Sequence, residues 1–81
     1  MKKYVYCAIF QESEEGVSVS FPDIFGGVTC GDDFDDAVFM AKDLLRLMLT
    51  EARGQCAEPL TKEKMEELFP GEIIIEIEVE V

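Results

Sequence analysis

One stretch, residues 17–37, constrains the fold more than any other, because strand, turn, strand and helix-start signals follow one another without a gap. Residues 17–21 alternate apolar side chains with serine, which is the period of a half-buried strand. A Pro-Asp pair then ends the strand, since proline cannot donate to a β-ladder. A glycine pair forms the turn, residues 28–30 return as a short strand, and Gly31-Asp32-Asp33 opens a helix.

Two further strands are predicted at the ends of the chain. Residues 4–11 are apolar on both faces, so this strand is expected to be central or covered on both sides. Residues 12–16 form an acidic, solvated hairpin loop that ends in glycine. Residues 72–81 are predicted to form a strand, with Ile73, Ile75, Ile77, Val79 and Val81 on one face and Ile74, Glu76, Glu78 and Glu80 on the other. That glutamate row is expected to face solvent and to discourage edge pairing, although contact with a basic partner is the alternative.

Two helices lie between these strands. Asp33 is the predicted N-cap of a long helix over residues 34–53, with Gly54 as its stop. Apolar residues recur along this helix at spacings of three and four and give one stripe. Thr61 is expected to cap a short helix through Leu68, with an apolar side made of Met65, Leu68 and Phe69.

The predicted element order is β-β-β-α-(α)-β, an α+β fold in one domain over residues 1–81. The first three strands form an antiparallel meander with the long helix packed on the sheet. The last strand follows a helical crossover and is predicted to lie parallel to the first.

Composition excludes several classes of function. The net charge is −11, from 18 acidic and 7 basic residues, so direct nucleic-acid binding is not expected and a basic protein partner is favoured. Cys7, Cys30 and Cys56 form no C-x-x-C pair and the chain has no histidine, which argues against disulfides and zinc. Cys7 and Cys30 are expected to act as small apolar residues. With neither a signal peptide nor a membrane-spanning run, we expect a cytoplasmic protein without membrane contact.

The densest polar cluster is Asp32-Asp33-x-Asp35-Asp36. It could be read as a divalent metal site, but its spacing fits no EF-hand loop, and an N-cap with dipole-favourable charges explains it better. No serine or cysteine stands beside an evident base, so nucleophilic catalysis is unsupported. We therefore expect no enzymatic activity, no metal and no cofactor.

Residues 21–25 contain two phenylalanines and an isoleucine around the turn. A partly exposed aromatic cluster often marks a binding surface. Equally, Phe21 could be core while Phe25 packs against the helix end, and the sequence leaves both readings open.

The ordered run Phe21-Pro22-Asp23, Gly26, Thr29-x-Gly31-Asp32 and Asp35-Asp36-Ala37 resembles the N-terminal domain of HicB-like antitoxins, as does the opening Tyr4-x-Tyr6-x-Ala8-x-Phe10. The resemblance covers nearly the whole chain, with departures at Phe25 and Gly27 in the turn. It implies a partial ribonuclease-H-like sandwich. Active members of that larger fold carry an acid in the middle of the first strand, and this chain has none there.

The resemblance implies a type II toxin–antitoxin partner, a small basic HicA-like ribonuclease whose active site the domain would cover. The predicted contacts are Glu12, Glu14 and Glu15 in the hairpin loop, with Asp23, Ile24 and Phe25 in the turn. Many members continue into a DNA-binding segment, whereas this sequence ends at Val81, so operator binding is not expected from these residues. The alternative is a stand-alone oligomeric domain without a toxin partner. In both cases a homo-oligomer is expected, with a symmetric dimer as the default.

Overall fold

The computed structural model describes residues 2–24, 27–52 and 59–81. Its elements, in chain order, are β1 (Lys3–Ser13), β2 (Gly16–Ser20), β3 (Val28–Gly31), α1 (Phe34–Ala52), α2 (Lys62–Leu68) and β4 (Ile73–Glu80). The strands form one four-stranded sheet in the order β3-β2-β1-β4, and every neighbouring pair is antiparallel. The predicted α+β class and the three-stranded meander are confirmed.

The predicted direction of the last strand is wrong, because β4 runs antiparallel to β1, with Phe10 opposite Ile73 and Lys3 opposite Glu80. The prediction treated everything between β3 and β4 as a single crossover. The chain instead makes two passes, since α1 leads away from the end of β3 and a second segment containing α2 follows it. β4 therefore starts level with the far end of β1, and the handedness rule for parallel connections does not apply.

The main core lies between the sheet and α1. Alternate residues of β1, namely Tyr6, Ala8 and Phe10, are buried there. They pack with Val17 and Val19 of β2 and with one stripe of α1 and two residues of β4: Ala37, Ala41, Leu45, Leu49, Ile77 and Val79. The stripe follows the spacing that the sequence predicts for an amphipathic helix.

A smaller core lies on the opposite face of the sheet, beneath α2. Cys7 and Ile9 of β1 pack there with Met65 and Ile74. β1 is thus covered on both faces, as its two apolar rows predict. Thr61 caps α2, because its hydroxyl accepts a hydrogen bond from the Lys64 N–H.

Four predictions from the sequence differ from the structure or cannot be compared with it. Leu68 is 52% exposed instead of lying on the buried side of α2. Cys30 is exposed, because β3 is an edge strand and none of the described elements covers that face, so it does not act as a core residue. The predicted helix end at Arg53 and Gly54 and the third cysteine, Cys56, lie outside the described residues.

The glutamate row of β4 is exposed, as predicted, and Lys3 approaches Glu78 at 3.8 Å. Neither described helix is long and apolar enough to cross a bilayer.

Candidate functional site

Gly31 lets the start of α1 sit directly against the end of β3. A Cβ atom at this position would lie 2.4 Å from the Ala37 backbone nitrogen and 2.7 Å from its Cα, which are impossible contacts with backbone atoms. Glycine is therefore required for the close approach of strand and helix. The close approach fixes where the acidic first turn of α1 projects.

The β1–β2 hairpin lies beside that first turn. Gly31 of β3 pairs with Val17 of β2, and Val17 pairs on its other side with Glu12 of β1. Gly16 has a φ of 139°, a conformation open to glycine, and a Cβ there would meet the Gly31 carbonyl oxygen at 2.5 Å. Both glycines thus bring the acidic hairpin loop against the start of α1.

The cap of α1 holds the aspartates in place. The Asp36 N–H donates to the Asp33 carboxylate at 2.8 Å, which confirms Asp33 as the N-cap. The Asp32 N–H donates to the Asp36 carboxylate at 2.9 Å. The ring of Phe34 stacks on Phe10 with 5.7 Å between centroids, which anchors this end of the helix to the sheet.

The result is a carboxylate-rich surface that we call the acidic end. It borders two shallow open depressions, the first about 330 Å³ in volume. Its members are Glu12, Glu14 and Glu15 from the hairpin and Asp32, Asp33 and Asp36 from the start of α1. No Lys or Arg lines either depression within the described residues.

The acidic end can interact with other molecules through its negative charge. The described residues contain no group of three or more acidic or thiol side chains arranged to hold a metal ion. Two of the aspartate carboxylates already accept backbone hydrogen bonds at the cap. Uncompensated negative charge around open depressions suits Lys or Arg side chains of a protein partner.

The six predicted contact residues do not form one cluster. Glu12, Glu14 and Glu15 are exposed at the hairpin, whereas Asp23 and Ile24 follow the opposite end of β2. Ile24 is only 7% exposed and belongs to the main core, so its side chain offers little surface to a partner. The Asp23 carboxylate accepts a hydrogen bond from the Leu60 N–H at 3.0 Å, which ties the segment before α2 to the turn. Phe25 lies outside the described residues.

Phe21, which the sequence left between core and binding roles, is buried at 2% exposure. Conversely, Asp32, Asp33 and Asp36 were predicted to cap the helix, in preference to a metal site, and were not predicted as contacts. The predicted antiparallel meander already implied that these aspartates lie near the hairpin loop. In an antiparallel meander, the first hairpin loop and the end of the third strand lie at the same end of the sheet.

Two solved structures share this fold. A chain of a structure described as the HicA3 and HicB3 toxin–antitoxin complex superposes with a TM-score of 0.70 at 19% identity, covering 95% of this chain and 99% of that one. The HicB3 antitoxin crystal structure gives 0.72 at 20% identity, covering 94% of this chain. The chain spans 62% of the length of that antitoxin. No protein-family model matches the sequence, and no curated protein does.

The chain therefore has the fold of a HicB-like antitoxin domain. The fold expected from the turn motif is confirmed.

Proposed function

We propose that this protein is the toxin-binding domain of a HicB-like antitoxin. Its partner would be a small basic HicA-like ribonuclease, and the acidic end would cover the face on which that enzyme holds RNA. The observation that carries the proposal is the acidic end itself, six carboxylates from two elements on an antitoxin-like fold. The role is that of a binding protein, not of an enzyme.

The physical argument rests on charge. A ribonuclease must present cationic side chains to phosphate groups. The carboxylates of the acidic end can occupy the same cationic sites, and the charge of −11 on the whole chain attracts such a partner from a distance. Charge complementarity of this kind raises the association rate and directs the partner to the correct face.

The two described cysteines are free thiols, which supports our placing the complex in the reducing cytoplasm. We expect the acidic surface to avoid nucleic acid, so that the domain inhibits the toxin without binding RNA.

The test is a binding and inhibition assay with a HicA-like toxin encoded beside this chain. We expect a tight complex and loss of RNA cleavage at low salt. The Glu12→Lys/Glu15→Lys double variant should weaken binding by about tenfold or more, mainly through the association rate.

The matched control is Glu76→Lys/Glu78→Lys, which changes the net charge equally at exposed positions of β4. The control should bind within about twofold of wild type, since rim charges away from the contact act only through screened fields. Equal losses in both variants would mean that net charge, and not the acidic end, drives binding. Full cleavage in the presence of excess domain would refute the proposal.

A stand-alone oligomeric domain is the second candidate. The observation that favours it is an unprotected sheet edge, β3, which can pair with another chain.

A further inference from the structure

One edge of the sheet is protected by charge and the other is not. β4 has exposed glutamates along its length, and such charges keep stray strands from pairing with an edge. β3 contains no charged residue and no proline, and its Val28 side chain is 67% exposed. None of the described strands pairs with the outer side of β3. The β3 edge is therefore open to an added strand.

The backbone of β3 has hydrogen-bonding groups that face away from the sheet. The Phe21 N–H donates to the Gly27 oxygen at 2.7 Å, which makes these two residues a hydrogen-bonded pair. Bonded and non-bonded pairs alternate along an antiparallel ladder, so Thr29 bonds to β2 while the N–H and C=O groups of Val28 and Cys30 point outward. An extended segment laid along this edge can bond to these groups with its own main chain.

The charged groups at the end of this edge are acidic. Asp32 follows β3 directly, and Cys30 lines the first depression of the acidic end together with Glu15, Asp32, Asp36 and the apolar side chain of Met40. A lysine or arginine can lay its aliphatic stem along an apolar side chain while its charged head stays near carboxylates. The edge thus offers main-chain bonds along its length and a seat for a cation at its end.

We propose that an extended segment of the partner toxin adds to the sheet beside β3. Its main chain bonds to Val28 and Cys30, and a lysine or arginine at one end of the segment occupies the depression beside Asp32 and Asp36. The rest of the segment is uncharged, because it lies along an uncharged strand. This inference rests on the proposed function and adds the mode of binding, in which main-chain hydrogen bonds hold the segment and the depression selects its cation.

Charge favours a basic segment at this edge over a second copy of the chain. Two chains of −11 repel each other, and Asp32 and Asp36 stand beside the edge where they would meet. Lys42 and Arg46 of α1 do not offset these aspartates, because they line a depression with Lys3 on the β4 side of the molecule. A basic segment is attracted by the same aspartates, and the edge is continuous with the acidic end.

The test measures how fast the whole chain dissociates from the HicA-like toxin encoded beside it. Cys30→Pro removes an outward-facing N–H and leaves the bonds to β2 in place, as edge strands permit. It should raise the dissociation rate by about tenfold, because one intermolecular hydrogen bond is lost. Cys30→Ala is the matched control, since it removes the thiol but keeps the N–H, and it should dissociate within about twofold of wild type. Circular dichroism would confirm that both variants are folded.

Hydrogen exchange tests the same edge without any substitution. The amides of Val28 and Cys30 should exchange fast in the free chain and slowly in the complex with the toxin. If the toxin binds but these amides stay fast, or if Cys30→Pro dissociates like wild type, the inference is overturned and the proposed function stands. If wild type does not bind the toxin, both are refuted. Slow amides in a free chain that sediments as a dimer would assign the edge to a second copy and would also overturn the inference.

Discussion

At the start of α1, a single carboxylate replaces solvent as the partner of a helical N–H. Asp33→Ala removes the hydrogen bond to the Asp36 N–H and should lower the free energy of unfolding by about 1 kcal/mol. Asp35→Ala is the control, because it removes a first-turn charge without a described hydrogen bond and should cost only about 0.3 kcal/mol. Urea denaturation measures both. Equal losses would show that charge alone matters at this helix end.

Burial makes the two described cysteines chemically different. Desolvation raises the pKa of the Cys7 thiol, and the nearby charge of Glu76 raises this pKa further. Cys7 is 2% exposed, whereas Cys30 is exposed on β3. Iodoacetamide at neutral pH should therefore modify Cys30 in the folded protein and Cys7 only after unfolding, as mass spectrometry of the peptides would show. Rapid modification of Cys7 in the folded state would mean that α2 does not stay on the sheet.

The same raised pKa predicts a pH dependence. The folded state holds the Cys7 proton more tightly than the unfolded state does, so the resulting stability is present below the ordinary thiol pKa of 9.0. The stability is lost as the pH rises through the raised pKa. Relative to Cys7→Ala, the wild-type protein should lose stability above about pH 9, as denaturation across an alkaline series would show. Parallel curves for the two proteins would contradict this assignment.

At the scale of elements, α2 depends on one side chain to hold it against the sheet. Met65 is fully buried with Cys7, Ile9 and Ile74, so Met65→Ala should cost about 2–5 kcal/mol through lost burial and a cavity. Leu68→Ala lies on the same helix at an exposed position and should cost under about 0.5 kcal/mol. Thermal denaturation would compare them, and similar effects would mean that α2 is not docked as described.

Local sequence patterns predicted the strands and helices well, because the spacing of apolar residues in a segment depends on which side of that segment is buried. The alternation in residues 17–21 and 76–80, the two apolar faces of β1 and the caps at Asp33 and Thr61 all reappear in the structure. Ile73 and Ile74 depart from the predicted alternation, since Ile73 is 44% exposed and Ile74 is buried beneath α2. The direction of β4 did not follow, because strand direction depends on how many times the intervening chain crosses the molecule. The prediction that Leu68 is buried was wrong for a related reason, because the buried side of a short helix depends on the angle at which the helix packs on the sheet.

The sequence predicted the hairpin part of the candidate site but not the part at the start of α1. The hairpin glutamates are recognisable in the sequence as an acidic loop. Asp32, Asp33 and Asp36 are brought beside that loop by the close contact of Gly31 with Ala37, which the sequence does not show. That contact is a tertiary event between a strand end and a helix. Ile24 was predicted to contact the partner, yet its side chain is 7% exposed and belongs to the main core.

For the whole molecule, charge acts in opposite directions on folding and on partner binding. The radius of gyration is 12.1 Å, comparable to the Debye length of about 10 Å at 0.1 M salt, so at low salt the −11 charge is felt across the entire domain. Folding brings like charges together, whereas binding a basic toxin brings opposite charges together. Screening should therefore help the first process and weaken the second.

Raising NaCl from about 0.05 M to about 0.5 M should increase the melting temperature of the isolated domain and weaken its complex with a basic toxin. Calorimetric melting and titration in the same buffers would measure both effects on one protein sample. The Glu12→Lys/Glu15→Lys variant should show a smaller salt dependence in both, because the acidic end contributes to both the repulsion and the attraction. If salt strengthened the complex, an apolar contact would have to drive recognition, and the acidic end could not be the binding surface.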